Sequence, residues 1–271
     1  KDANVRRAQV ERMLKDPRRE RFVENFTGQW LDLRNMDATT PDKKLYPEYD
    51  ELLGRSMVRE SHGFFTEVLD KNLTVKNFID SDFIVVNERL ADHYGLKGVK
   101  GHEKMQVVKL PEDSLRGGVL TQGAVMKVTA NGTASSPVIR GVWVLDRLLG
   151  QPVPPPPPGV PAVVPDIRGA VSLRGQVNKH TEDPSCARCH HRIDPVGFAL
   201  EEFDPIGKHR EKYRAVPQKG GGYVAGLPID STGERPDGHA FTNFEGFRDW
   251  LGKDEKVNAR DLACKLMFYG C

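Results

Sequence analysis

Long apolar runs are missing from this chain. No stretch approaches the ~20 consecutive apolar residues that a membrane-spanning helix requires, so no transmembrane segment is expected. Charge of one sign is missing too: 40 Lys and Arg face 38 Asp and Glu, a formal net charge of +2. Nothing in that balance calls for a nucleic-acid partner or an anionic membrane surface. Cysteine is scarce, four in 271 residues, which excludes a disulfide framework as the source of stability. Cys264 and Cys271 fall seven apart on an expected helix, about 10 Å along its axis, too far to pair while the helix persists. No leader peptide opens the sequence. A helix pattern already runs from Asn4, and the chain is read as part of a longer protein, so the missing leader carries no information on compartment. With 38% hydrophobic and 29% charged residues, the composition suits a globular chain with a sizeable core.

Two of the scarce cysteines sit in Cys186-Ala187-Arg188-Cys189-His190, a C-x-x-C-H run, the covalent attachment pattern of a c-type haem. On a helix, thiols at i and i+3 share one face, where each can form a thioether with a porphyrin vinyl group. His190 lies beneath the same face and offers its imidazole to the iron. A thioredoxin-like pair also uses C-x-x-C, but it opens a helix directly after a strand, and 180–185 forms none. A zinc site would need two further ligands. Cys264 and Cys271 have the right chemistry, but their C-x6-C spacing is not that of a knuckle or ribbon. The run therefore predicts covalent haem c, with Cys186, Cys189 and His190 binding the cofactor and His190 as the proximal iron ligand. Thioethers to haem are made outside the cytoplasm in bacteria, so a periplasmic or otherwise exported protein is expected.

The rest of the chain predicts a mainly α protein: a helical scaffold, a small β insertion and a helical haem c module. Residues 1–104 read as the scaffold. Phe22, Phe26 and Trp30 recur at i, i+4 and i+8, and an amphipathic segment spans about 48–69. Asn87 is a helix cap for 88–94, and Gly95 a stop. Residues 105–215 read as the cytochrome module. β-branched runs broken by glycine over 105–130 predict one or two short strands or a hairpin. Ser136-Pro137 starts a helix with the stripe Val138, Val142, Leu145 and Leu149. Prolines at 152 and 154–158 predict a stiff polyproline strut. A helix is expected near 171–180, then the haem segment. Residues 216–271 read as a C-terminal helical segment with a surface loop at Gly220-Gly221-Gly222.

Around the motif, Asp194-Pro195-Val196-Gly197 is echoed by Asp204-Pro205-Ile206-Gly207, and Asp-Pro pairs start turns. Between them, Phe198, Ala199, Leu200 and Phe203 either wall the porphyrin edge or belong to an ordinary core. Arg188, Arg192, Lys208 and Arg210 are candidates for the haem propionates.

The chain resembles the planctomycete-type haem c proteins, multi-domain bacterial proteins made mostly of domains of unknown function. The resemblance rests on 22–26 through 87–95, on Ser135-Ser136-Pro137-Val138-Ile139-Arg140-Gly141-Val142-Trp143-Val144-Leu145 with the haem segment through Asp204, and on 228–238 with the last helix. It implies haem binding and export, with a second C-x-x-C-H often present in further N-terminal domains, and it supplies no substrate. Cys264 and Cys271 depart from the pattern.

Function then turns on the sixth iron position, since a second protein ligand gives an electron carrier and an open site permits peroxide or oxygen chemistry. His180 is the distal candidate nearest in sequence, and the family pattern carries a histidine there. Met126, on the presumed β segment, is the thioether alternative, with Met105 beside it. The expected role is electron transfer with other redox proteins, or with haem domains of the same protein or complex. A peroxidase- or oxygenase-like enzyme using a second haem is the alternative, and a structural subunit that binds haem is a third reading.

Overall fold

Helices starting at Ala3, Glu51, Glu88 and Pro137 each begin after a polar side chain that accepts from one of the first unpaired N–H groups. The computed structural model describes residues 2–156 and 172–270, the side chain of His180 excepted. Helix α1 (Ala3–Leu14) is capped by Asp2 and buries no side chain. Helix α2 (Arg19–Trp30) carries the Phe22, Phe26 and Trp30 stripe against α3 (Glu51–Asp70), with the Phe26 and Phe65 rings 5.5 Å apart. Asp50 caps α3 through the Leu53 N–H at 2.7 Å. Asn87 caps α4 (Glu88–Tyr94), which Gly95 ends in the left-handed conformation at φ 77°. That conformation costs glycine nothing.

The fold is mainly α with small β insertions, and among the described residues the strands form three two-stranded antiparallel sheets. The β segment expected over 105–130 is only partly strand. β1 (Phe83–Val86) is wholly buried and pairs with β2 (Gln106–Lys109), so the partner of 106–109 lies twenty residues upstream rather than in the following run. Val119–Thr121 is a 3-10 turn, and α5 (Gly123–Val128) is helical. Gly123 through Lys127 are all buried, and total burial erases the periodicity that separates helix from strand.

Helix α6 (Pro137–Arg147) starts at the Ser136 cap as expected, but its buried face is Pro137, Arg140, Gly141, Trp143, Val144 and Leu145. Val138, Val142 and Leu149 are only half-buried. The face is turned because α8 (Pro184–Ala199) crosses α6 with almost no side chain between them. A Cβ on Gly197 would stand 1.7 Å from the Pro137 carbonyl oxygen, and one on Gly141 would stand 2.1 Å from that of Ile193. Arg140, fully buried, spans the end of this crossing. Its guanidinium donates to the carbonyls of Leu200 (2.7 Å) and Phe203 (2.8 Å) and pairs with Glu201 at 2.9 Å. Glu201 also accepts from Ser135 (2.5 Å) and Arg210 (3.1 Å). Removing Glu201 would leave the Arg140 guanidinium as a buried charge without its ion-pair partner, a loss of about 3–5 kcal/mol.

A second polar cluster joins the N-terminal helices to this half. The Arg116 guanidinium lies 3.5 Å from the Tyr94 ring and donates to the Gly207 carbonyl at 2.7 Å. The Tyr94 hydroxyl donates to Glu60 at 2.7 Å, and His93 Nε2 donates to the Ile206 carbonyl at 2.8 Å. Burial pushes the Glu60 carboxyl up to about 7 against the opposing Tyr94 bond and Arg116 charge. Burial also pulls the His93 imidazole down to about 4.

The C-terminal segment is less helical than its sequence suggests. β3 (Lys212–Ala215) pairs with β4 (Val224–Pro228) around the glycine loop, and β5 (Gly233–Glu234) pairs with β6 (Ala240–Phe241). The turn between the last two is made by Asp237, which accepts from the His239 N–H at 3.1 Å, and by Gly238 at φ 80°. Helices α9 (Phe244–Gly252) and α10 (Glu255–Gly270) close the chain. The proline run enters the undescribed interval at Pro157, so the expected strut lies partly outside the described residues. No helix among the described residues is long and apolar enough to cross a membrane.

Candidate cofactor-attachment site

The motif lies on the first half of α8, preceded by α7 (Leu173–His180). Asp183 caps α8 by accepting from the Ser185 N–H at 2.8 Å, and Pro184 occupies the first helical position, where its missing N–H costs nothing. Cys186 and Cys189 follow as free, half-buried thiols one turn apart, Cys189 lying against the edge of the core. His190 comes next, its side chain 13% exposed, with Nδ1 at 2.9 and 3.1 Å from the two carboxylate oxygens of Asp194. A carboxylate only accepts, so Nδ1 carries the proton of this bond, and the neutral form of the ring has its lone pair on Nε2.

The segment after His190 is fixed from several sides. Ile193 meets Gly141, and Gly197 meets Pro137 in the α6 crossing. Gly233 of β5 packs close to Pro195. From α7, Arg174 lies 4.0 Å from the Phe198 ring and pairs with Asp230 at 2.7 Å. Arg235 stacks 3.7 Å from the Trp250 ring. Burial holds its guanidinium below the ordinary value, and the nearby Arg192 pushes the same way.

Several expected site residues have other employment. Phe198, Ala199, Leu200 and Phe203 are all buried to 1% exposure or less, and Phe203 packs on Phe244 at 5.0 Å as core. Arg210 is held by Glu201 and Ser135, so it is not available to a propionate. Arg192 donates to Gln151 at 3.1 Å, while Arg188 and Lys208 are exposed. His191 is exposed and bonds back to the Ala187 carbonyl. Met126 is fully buried on α5, which packs on α3, so it sits on a helix and not on the expected strand. Met105 is half-buried at the core edge. His180 ends α7, and its side chain lies outside the described residues.

Of the two cysteines weighed and set aside as zinc ligands, Cys264 joins no metal-holding group with the motif among the described residues. Cys264 is exposed on α10, and Cys271 lies outside them. No group of three or more His, Cys, Asp or Glu among the described residues is arranged to hold a metal ion by itself. Two thiols one turn apart can each form a thioether. An imidazole gripped at Nδ1 presents Nε2 as its Lewis base. That donor set fits a covalently attached tetrapyrrole better than a bare ion.

Comparison with known families adds two matches. A family described as PSCyt3, protein of unknown function (DUF1588), matches residues 116–213, and one described as PSD4, protein of unknown function (DUF1592), matches residues 1–96. Both are domains of planctomycete-type cytochrome c proteins. Both are uncharacterised, so the match carries no activity. No curated protein and no solved structure matches the chain.

Asp194 is the residue that sequence reasoning missed. It was read only as the start of an Asp-Pro turn, although its i,i+4 spacing from His190 was the available signal.

Proposed function

We propose that this chain is an exported c-type cytochrome module, binding one covalent haem and passing electrons within a larger redox protein or complex. One observation carries the reading: Cys186 and Cys189 sit free on one helix, followed by an imidazole already oriented by a carboxylate. Cys186 and Cys189 hold the porphyrin and His190 Nε2 binds the iron, while Asp194 keeps the imidazole in the tautomer this requires. When bound, the haem supplies one-electron redox chemistry. The C-terminal half of α8, clamped on α6, keeps the ligating turn in place. The two families matched are consistent with this reading, since both occur in cytochrome c proteins.

The test is secretion of the chain in a bacterium equipped for cytochrome c maturation, followed by mass spectrometry and a pyridine haemochrome spectrum. One haem per chain is expected, with a low-spin spectrum. The double substitution of Cys186 and Cys189 by serine removes the covalent haem. A protein that matures without added mass refutes the haem reading. A high-spin haem that takes up exogenous ligands refutes the carrier role and points to peroxide or oxygen chemistry.

A further inference from the structure

We infer that Asp194 is a positioning residue that tunes the haem of this chain toward its oxidised state. The inference rests on the haem reading above and extends it from which residues bind to how one of them sets the redox balance.

The argument begins with the backbone. His190 and Asp194 are one helical turn apart, on opposite sides of Ile193, where α8 meets α6. From Ile193 onward, α8 is pressed against α6 at distances that leave no room for a Cβ on Gly141 or Gly197. Asp194 lies within this clamped stretch and is itself buried. Its side chain therefore has a fixed platform. His190 belongs to the turn that bears the thiols, upstream of the crossing. Both carboxylate oxygens approach its Nδ1, at 2.9 and 3.1 Å. Asp194 thus transmits the position of the clamped half to the ligating half.

The electronic consequence follows from the chemistry of the bond. A buried carboxylate accepting from Nδ1–H is a stronger acceptor than a backbone carbonyl, because charge-assisted hydrogen bonds are roughly twice as strong as neutral ones. It draws the ring proton toward itself and makes Nε2 a better donor to iron. The ferric state carries one more positive charge than the ferrous state and gains more from that donation and from the nearby anion. Second-shell hydrogen bonding of this kind is one of the protein's levers on haem potential. The shift is downward.

The experiment compares the midpoint potentials of the secreted, haem-loaded wild type with Asp194→Asn and Asp194→Glu. Asparagine keeps the shape but removes the charge, so its potential rises. An effect of about tenfold in the ferrous-to-ferric ratio, at the lower end for lost second-shell partners, corresponds to about 59 mV for one electron. Glutamate restores part of the wild-type value, which a merely structural role for Asp194 would not produce. The second measurement is the 15N shift of the His190 ring in the wild-type holoprotein, which needs no variant to fold. A carboxylate-bonded Nδ1–H is expected. Equal potentials in wild type and D194N with haem attached, or an Nδ1 signal typical of bonding to a neutral carbonyl, overturn the inference. Wild-type protein that carries no haem overturns the earlier reading instead, so the two failures are distinguishable.

Discussion

Consider replacing Gly197 by alanine. In an unconstrained helix interior this stabilises by about 1 kcal/mol, because alanine loses less backbone freedom than glycine. Here the added Cβ meets the Pro137 carbonyl oxygen at 1.7 Å and the Gly141 nitrogen at 3.0 Å, whereas ordinary contact begins near 3.4 Å. The obstacles are backbone atoms and cannot swing aside. The helices must separate by most of the shortfall, and Val144, Leu145, Ile193 and Val196, all 4% exposed or less, lose contact as they do. Gaps of 0.5–1 Å already forfeit about a quarter to a half of the dispersion energy of the atoms involved. Overpacking costs about 1–3 kcal/mol in general, and backbone obstruction places this site at the upper end. After the helix-propensity gain, the expected net loss is about 2 kcal/mol. Chemical denaturation of purified wild type and G197A measures it as a lower midpoint at unchanged slope. G221A is the control, since nothing lies within 4 Å of its Cβ, and it should stay within about 0.5 kcal/mol of wild type. Adding G141A to G197A should cost less than the sum of the two, because the first substitution has already opened the seam. A G197A protein as stable as wild type, or more so, refutes the close crossing.

Other outcomes are expected from the two buried polar clusters. Arg140→Met leaves Glu201 paired with Arg210 alone and frees the Leu200 and Phe203 carbonyls, so a loss of about 3 kcal/mol in denaturant unfolding is expected; a loss under about 1 kcal/mol speaks against the pair. Pairing R140M with Glu201→Gln should recover part of that loss, read by the same assay. Between about pH 4.5 and 7 the folded chain keeps a Glu60 proton that the unfolded chain releases, so this group makes stability fall as pH rises. Between about pH 4 and 6.5 the unfolded chain holds a His93 proton that the folded chain lacks, so this group makes stability fall as pH falls. The two slopes oppose each other. E60Q should therefore lose up to about 3 kcal/mol on acidification across the shared window, and H93Q should gain stability there. Superimposable profiles for E60Q and wild type would show that Glu60 titrates normally.

How much was legible in the sequence differed with the kind of signal. Local chemistry transferred well: the Asn87 cap and Gly95 stop bound α4, and Ser136-Pro137 starts α6. C-x-x-C-H is a local signal of the same kind, and the structure places its two thiols one turn apart on α8. Non-local facts did not transfer. Nothing in 106–109 names 83–86 as its partner, and the fully buried Gly123–Lys127 stretch has no polar face to reveal a helix. The face of α6 was misjudged because a buried arginine and a glycine occupy it, and both count as non-core by composition. The His190–Asp194 bond was visible as spacing, but the adjacent Pro195 drew the aspartate into a turn.

The grip of Arg140 on the carbonyls of Leu200 and Phe203 gives α8 a moored end and an open end. Its downstream end is anchored by main-chain contacts that tolerate no rearrangement. The cysteines stand upstream, near solvent. If haem is attached as proposed, these half-exposed thiols would stay within reach of a maturation enzyme after the α6–α8 crossing has formed.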